Sequence, residues 1–472
     1  MPLVVGVDSS TSACKVQVHD LDTGEVVASG RAPHTSTVPP KSEQDPQEWE
    51  IALRTACAQA GVPDARRPAA LAVAAQQHGL VVLDQSGEPL RPAKLWNDTE
   101  SAPDAEALLP LLPNGPAGWA EACGSVPVPS FTITKLHWLQ RREPETLKGA
   151  AAIMLPHDWL TFRLTGRRVT DRGDASGTGY WSPREDRYRF DLLRLVEPSI
   201  AWDALVPEVL APDAAAGEWT GMGVTITAGT GDNMAAALGL GLRPGELVLS
   251  FGTSATAFTV SDVAANDVTG TVAGFADATG RFLPLVCTMN ATKVTDAIAR
   301  LLGVDHETFD ALALEAPAGS NGLVLVPHLD GERTPNRPSA TGSLSGLRTD
   351  AAPAHLARAA VEGVVCNLLA AADALGQQAT DGRVLLVGGA ARSPAYRRVV
   401  ADLTGRVVQV PSDGELVAAG AAVQAAAVHL GCGFTEITDA WNLGRGDLVE
   451  PDDRVDRAAI RGAYADAAAK AP

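Results

Sequence analysis

None of the six cysteines, Cys14, Cys57, Cys123, Cys287, Cys366 and Cys432, stands in a CxxC pair. That scatter excludes the common zinc and redox spacings and leaves free thiols in a reducing compartment. No basic stretch precedes the N-terminal apolar run, which turns polar at Asp8 and so reads as a strand instead of a secretion signal. No apolar run approaches the roughly 18 residues that a membrane helix needs. Positive charge is also short. A net charge of −18 argues against nucleic acid, whose phosphates must be met by Lys and Arg. No lysine follows a glycine, so GxxxxGK[ST] is missing, and Gly239-Leu-Gly-Leu-Arg-Pro244 lacks the third glycine of the dinucleotide fingerprint. The expectation is a cytoplasmic protein with neither a nucleic-acid nor a membrane partner.

With 46% apolar and 20% charged residues over 472 positions, the composition is that of a globular enzyme of two large or about three ordinary domains. Leu3 to Val7 reads as a buried strand and Lys15 to His19 as an alternating, half-buried one. Asp45-Pro46 opens a helix, with Asp45 as N-cap and Pro46 in the first turn. Ala69 to Ala75 is a strand ending at Gln76-Gln-His-Gly79, after which the chain runs back as Leu80 to Leu83. The second half repeats the plan. Glu246 to Ser250 and Ala255 to Val260 are strands, His355 to Leu375 is helical, and Arg383 to Val387 is a buried strand. Ser393-Pro394 starts a helix, Val407 to Val410 is a strand, and Glu415 to His429 is an alanine-rich helix. Strand meanders followed by alternating strands and helices, seen twice, predict two α/β lobes. The Gly239 to Gly245 region marks the boundary, giving domains 1–241 and 242–472.

Four loops carry candidate chemistry. Val224 to Ala228 is a strand that stops at Gly229 and Gly231 and presents Asp232 at the start of a helical run. Asp232 is the candidate general base; it also has the position of a helix N-cap. The loop's glycines are read as making room for an acceptor and a travelling phosphoryl group. Asp8-Ser-Ser-Thr-Ser12, between the first two strands, can hold Mg²⁺ through water and bind phosphate oxygens. Ser250-Phe-Gly-Thr-Ser254 has the same design, where Gly252 admits an anion close to the backbone. Gly388-Gly-Ala-Ala-Arg-Ser393 follows a buried strand and can seat a flat ligand such as adenosine. Gln77, His78, Trp96 and Asn97 supply the donors, acceptors and apolar wall that a polyol needs.

Together these segments resemble the FGGY family of carbohydrate kinases, within the actin–hexokinase superfamily, over residues 5–429. Asp8 to Ser12 and Leu249 to Ser254 resemble its two phosphate loops, and Gly388 to Ser393 its adenosine motif. Phe131-Thr-Ile-Thr-Lys-Leu-His-Trp-Leu139 resembles one of its signature segments. Ser42 to Pro46, Gln76 to Gly79, Leu95 to Asp98, Leu155 to Asp158, Asp174 to Thr178 and Gly331 to Pro335 resemble segments of the members that act on D-xylulose. The resemblance implies two ribonuclease-H-like lobes with the active site in the cleft between them, ATP and Mg²⁺ as cofactors, and a ketopentose phosphorylated at a primary hydroxyl. It implies Asp232 as base and Asp8 toward the metal. It places Gln77, His78 and Asn233 on the sugar, beside the Trp96 and Asn97 that their own chemistry assigns to a polyol. Ser10, Thr11, Ser12, Gly252 and Thr253 fall on phosphate, and Gly388, Gly389 and Ala390 on the nucleotide. Other acceptors (ribulose, glycerol or a sugar acid) remain open, as does a catalytically weak binding protein of the same fold. Three residues depart from the family's usual ones. Ser10 stands where many members carry Gly, Gln77 where some carry Met, and Glu100 where many carry Arg. The helix expected over 458–470 is read as a packing or homodimer helix.

Overall fold

The computed structural model describes residues 2–379, 382–412 and 414–471. The chain forms two compact α/β units. One comprises Met1–Leu242, Ser261–Pro284 and Glu415–Leu443; the other comprises Arg243–Val260, Leu285–Gly414 and Gly444–Pro472. A single cut at 241/242 therefore does not describe the units, because 261–284 and 415–443 belong with the first.

In the first unit, Leu3–Ser9, Ala13–Asp20 and Val26–Pro33 form an antiparallel meander. Ala70–Ala75 pairs parallel to Leu3–Ser9, and Thr225–Thr227 pairs parallel to Ala70–Ala75. The two central strands are covered on both faces, which is why they read as unbroken apolar runs. Register then sets the site. Asp8 lies beside Ala74, which lies beside Thr230; Ser9 lies beside Ala75, which lies beside Gly231. Three parallel strands thus end together, and the turn after Ser9, the segment after Ala75 and Asp232 all emerge at one sheet edge. The segment Val81–Leu83 does not return along Ala70–Ala75. It pairs with Ala152–Met154 in a separate two-stranded sheet, because the central strand's edges are already occupied.

The second unit repeats the plan. Leu247–Phe251, Ala255–Phe258 and Phe282–Thr288 form the meander; Val384–Val387 pairs parallel to the first of these, and Val408–Pro411 parallel to Val384–Val387. Ser250 lies beside Val387, so the turns at Gly252 and Gly388 leave neighbouring strand ends. The helix Pro353–Ala372, with the turn that follows it, is as long and apolar as a membrane span, longer than the composition suggested. It carries Arg358, Glu362 and Asn367, and 78% of its apolar window is buried in the fold, as befits a core helix.

Helix Leu416–Leu430 organises the first unit. A Cβ on Gly6 would stand 1.8 Å from the Ala418 carbonyl oxygen, so the central strand touches this helix backbone to backbone. The same intimacy joins it to helix Asp232–Gly239: a Cβ on Gly420 would stand 1.8 Å from Ala235 O, and one on Gly239 2.1 Å from Leu416 O. Gln424 on this helix accepts from Thr227 Oγ1 and Gly229 N, both at 3.0 Å, pinning the strand that leads to Asp232. We expect Gly420→Val to lower stability by about 1–3 kcal/mol through overpacking and to reduce turnover with it. Denaturant unfolding alongside steady-state rates checks this, and an unchanged midpoint would show that the helices do not depend on the contact.

Candidate active site

Asp8 is 4% exposed. Its Oδ2 lies 3.5 Å from Lys15 Nζ, which is also ion-paired with Glu415 at the start of the organising helix. Its Oδ1 has no hydrogen-bond partner among the described residues. Burial pushes its carboxyl up to about 6, Lys15 opposing and Glu415 adding to the shift. The following turn is tied down. Ser10 Oγ donates to Ala13 O (2.9 Å), so the hydroxyl of this departure from glycine closes the turn itself. Thr11 Oγ1 donates to Gln76 Oε1 (3.1 Å) and accepts from Trp96 Nε1 (2.9 Å), and Gln44 Nε2 donates to Thr11 O (2.9 Å). Ser12 is exposed.

Asp232 is the first residue of its helix. The N-cap position, expected for Asp232, belongs to Gly231, which has no side chain to bond the helix end. The Asp232 carboxylate instead accepts at Oδ1 from Asn233 N (2.8 Å) and Asn233 Nδ2 (3.0 Å). Asn233 Nδ2 also donates to Gln77 Oε1 at 2.7 Å. Both Asn233 amide hydrogens are therefore committed and its Oδ1 remains an acceptor, whereas Gln77 Nε2 is a buried donor with no protein partner among the described residues. Surrounding protein desolvates Asp232 and pushes its pKa up to about 7; the charge of Asp8 adds to the shift and the Asn233 bonds oppose it. The loop's glycines make room for protein and not for a ligand. A Cβ on Gly231 would meet Gln77 Cγ at 2.7 Å, and one on Gly229, at φ +75°, would meet Val73 O at 2.4 Å.

His78 is 8% exposed and holds the left-handed φ of 65°, a conformation costly for a non-glycine residue. Phe131 and Phe275 flank its ring, each with centroids 5.3 Å away. Thr132 Oγ1 donates to His78 O (3.2 Å), and Lys135, fully buried, donates to Pro129 O (2.9 Å) and to Ser130 O in the turn that carries Phe131. Beneath lies a buried group: His157 Nδ1 is 3.2 Å from Asp158 and 3.3 Å from Asp174, and its Nε2 is 3.4 Å from Asp171. Burial disfavours every charge here, pushing His157 down and the three carboxyls up. His78 Nδ1 stands 4.0 Å from Asp174. Segments 131–139, 155–158 and 174–178 were conspicuous in the sequence only by resemblance; their packing around His78 supplies the physical role.

Trp96 is 41% exposed and meets the turn after Ser9 through Thr11. Asn97 is partly buried beside it. Glu100 is met by a cation: Lys94 Nζ lies 2.6 Å from Glu100 and 3.1 Å from both Glu43 and Asp98. These three acids lie at ligand spacing, but the buried ammonium already sits among them. In the second unit, Gly252 N–H donates to Ser254 O (2.9 Å), and a Cβ at Gly252 would meet nothing closer than 3.5 Å, so the protein alone does not require glycine there. Thr253 is exposed. Gly388, at φ +87°, crosses the Phe251 backbone, where a Cβ would stand 2.6 Å from Phe251 O. Gly388 and Gly389 are exposed, with open space over Gly389, whereas Ala390 is 5% exposed and has little surface to offer a ligand. A cavity of about 660 Å³ elsewhere in this unit, beside Glu362, Cys366 and Tyr464, is lined by no predicted site residue.

A Cβ on Gly177 would stand 1.9 Å from His78 Cε1. Gly177→Ala should therefore displace the imidazole and weaken binding of a sugar at His78 by about tenfold or more. The His78 ring resonance and a sugar titration check this; an unmoved resonance with unchanged affinity counts against it.

Family models match in both halves: the FGGY carbohydrate kinase N-terminal domain over residues 3–239 and the C-terminal domain over 247–429. The chain is 48% identical over 463 residues to xylulose kinase of Streptomyces coelicolor, covering 96% of this chain and 93% of that protein. It is 47% identical over 464 residues to xylulose kinase of Streptomyces rubiginosus, with the same coverage. Among solved structures, xylulose kinase from Bifidobacterium adolescentis is 40% identical, with a TM-score of 0.88 over 99% of each chain. Glycerol kinase of Plasmodium falciparum, at 19% identity and a TM-score of 0.89, shares the fold. With both halves matched and relatives this similar along nearly their whole length, the chain belongs to the FGGY family of carbohydrate kinases.

Proposed function

We propose that this chain transfers the γ-phosphate of ATP to O5 of D-xylulose, with Asp232 as general base. One observation carries the reading: a carboxylate poised near 7, held by Asn233, beside a buried Gln77 donor. A base is most effective with a pKa near working pH, since it is then both ionised and able to take a proton. Gln77 Nε2 offers a donor and Asn233 Oδ1 an acceptor, a pair that suits a sugar hydroxyl. His78, between two aromatic rings, supplies the third polar contact, and Trp96 and Asn97 stand at the rim. The xylulose kinases of Streptomyces and Bifidobacterium support the choice of sugar.

In this reading the first unit carries the sugar site and the first phosphate loop, through Ser10, Thr11 and Ser12. The second carries Gly252 and Thr253 for phosphate and Gly388, Gly389 and the backbone at Ala390 for the nucleoside. Because the hydroxyls of Ser10 and Thr11 are bonded within the protein and Ser10 N–H also donates to Ala13 O (3.0 Å), the N–H groups of Thr11 and Ser12 are the better contacts. Mg²⁺ fits at Asp8. The carboxylate is buried with Oδ1 unbonded among the described residues, and a cation there would favour its ionised form. When bound, the ion would neutralise charge on the transferring phosphate.

An ADP-release assay across D-xylulose, D-ribulose, L-ribulose, glycerol and gluconate should give D-xylulose the highest kcat/KM. A greater value for another acceptor moves the substrate assignment.

Asp232→Asn should cut kcat by about 10²–10⁴-fold while sugar and ATP binding persist. In the wild type, kcat/KM for the sugar should rise with pH up to about 7 and then level, since only the ionised base works. Stability runs the other way. An unfolded aspartate ionises near 4 and the folded one near 7, so the wild type loses stability relative to Asp232→Asn across that window. Thermal unfolding of both forms at pH 5 and pH 8 should show the variant gaining at the higher pH. Equal differences at the two values would remove the raised pKa from the account.

A further inference from the structure

Glu332 is 1% exposed, and its two oxygens accept from four neutral N–H groups. Met289 N and Arg333 N (2.8 Å) bond Oε1; Asn290 Nδ2 (2.9 Å) and Asn367 Nδ2 (3.0 Å) bond Oε2. A carboxylate has about four acceptor positions, so this one is saturated. Apart from its neighbour Arg333, the donors come from two segments of the second unit distant in sequence, 289–290 and 367, and Glu332 joins them.

One segment leads directly to the second phosphate loop. Asn290, wholly buried, also donates from Nδ2 to Gly331 O at 2.8 Å. The next two residues open helix Thr292–Leu302. Ala291 N–H donates to Thr253 O (3.2 Å), and Thr292 N–H donates to Gly252 O (2.9 Å). In a planar trans peptide, fixing a carbonyl fixes the following N–H in the opposite direction. The N–H groups of Thr253 and Ser254 are thereby turned away from the helix, as donors for an anion at the loop. A second segment leads to the C-terminal helix Arg457–Lys470: Asn367 Oδ1 accepts from Tyr464 Oη at 2.9 Å. Arg337 Nη1 donates to Ala468 O (2.9 Å) near that helix's end.

We propose that Glu332 is a positioning residue for nucleotide phosphate: it holds Asn290 and the start of helix Thr292–Leu302, and so aims the Thr253 and Ser254 amides, with Asn367 and Tyr464 extending the support to the C-terminal helix. This rests on the reading that residues 252–254 bind phosphate. Glu332 touches no ligand itself. It acts through bonds that a glutamine cannot all reproduce, because one oxygen becomes an NH₂ group facing N–H donors.

The experiment uses the full chain and Glu332→Gln, with ATP and D-xylulose varied separately and ADP binding followed by calorimetry. KM for ATP and Kd for ADP should rise about tenfold or more, while KM for D-xylulose stays within about twofold. Equal rises in both Michaelis constants, or none, overturn the proposal. Tyr464→Phe removes only the far hydroxyl. It should raise KM for ATP about threefold with the sugar constant unchanged, and it decides the matter if Glu332→Gln does not fold; an unaltered KM for ATP in that case overturns the proposal. Failure of the wild type to bind ADP would instead overturn the phosphate reading of the loop, and the role of Glu332 with it.

Discussion

The approach of helix Leu416–Leu430 to the first unit's central strand and to helix Asp232–Gly239 is the constraint on which the site depends. At Gly6, Gly239 and Gly420 the backbones meet with no room for a side chain. Bare backbone at these crossings lets the helices and the strand share one close-packed layer. The consequences are local to the chemistry. Glu415, at the head of the helix, pairs with Lys15 beside Asp8, and Gln424 grips the strand before Asp232. Three strand ends and one helix, all in the first unit, hold both acids.

Within that frame the electrostatics are those of partial starvation. Neither acid has a fully compensating cation: Lys15 stands 3.5 Å from Asp8 and shares itself with Glu415. Burial therefore wins over pairing, and the carboxyls of Asp8 and Asp232 are pushed up. The same logic governs the group beneath His78, where neutral forms of His157 and its neighbouring acids are the cheaper ones to bury. By contrast, Lys94 is surrounded by Glu43, Asp98 and Glu100, and each charge there is met. Buried carboxyls shifted toward working pH, such as Asp8 and Asp232, are the kind of group that functional sites tune.

Much of the plan was legible along the chain. The Leu3 to Val7 run, the Asp45-Pro46 helix start and the Ser393-Pro394 start all appear as read, because caps and buried strands depend on neighbours in sequence. The candidate loops were visible as strands stopping at glycine or hydroxyl residues. What the glycines were for was not visible. Those at 229 and 231 accommodate Val73 and Gln77, residues over 150 positions away, and Gly177 accommodates His78. Nor was it visible that Val81–Leu83 pairs with Ala152–Met154, since an apolar run does not say which strand will accept it.

Local chemistry and pattern were enough to indicate a two-part α/β protein whose strands stop at glycine and hydroxyl loops, with one acid at a strand end. Such features depend on a few contiguous residues and on period. Only the tertiary structure decided that 415–443 returns to the first unit, that the hydroxyls of Ser10 and Thr11 are spent within the protein, and that Lys15, Phe131, Phe275 and the group around His157 shape the site. Each of these depends on packing between segments remote in sequence. Burial, and with it the pKa of Asp232, exists only once those segments have closed around the site.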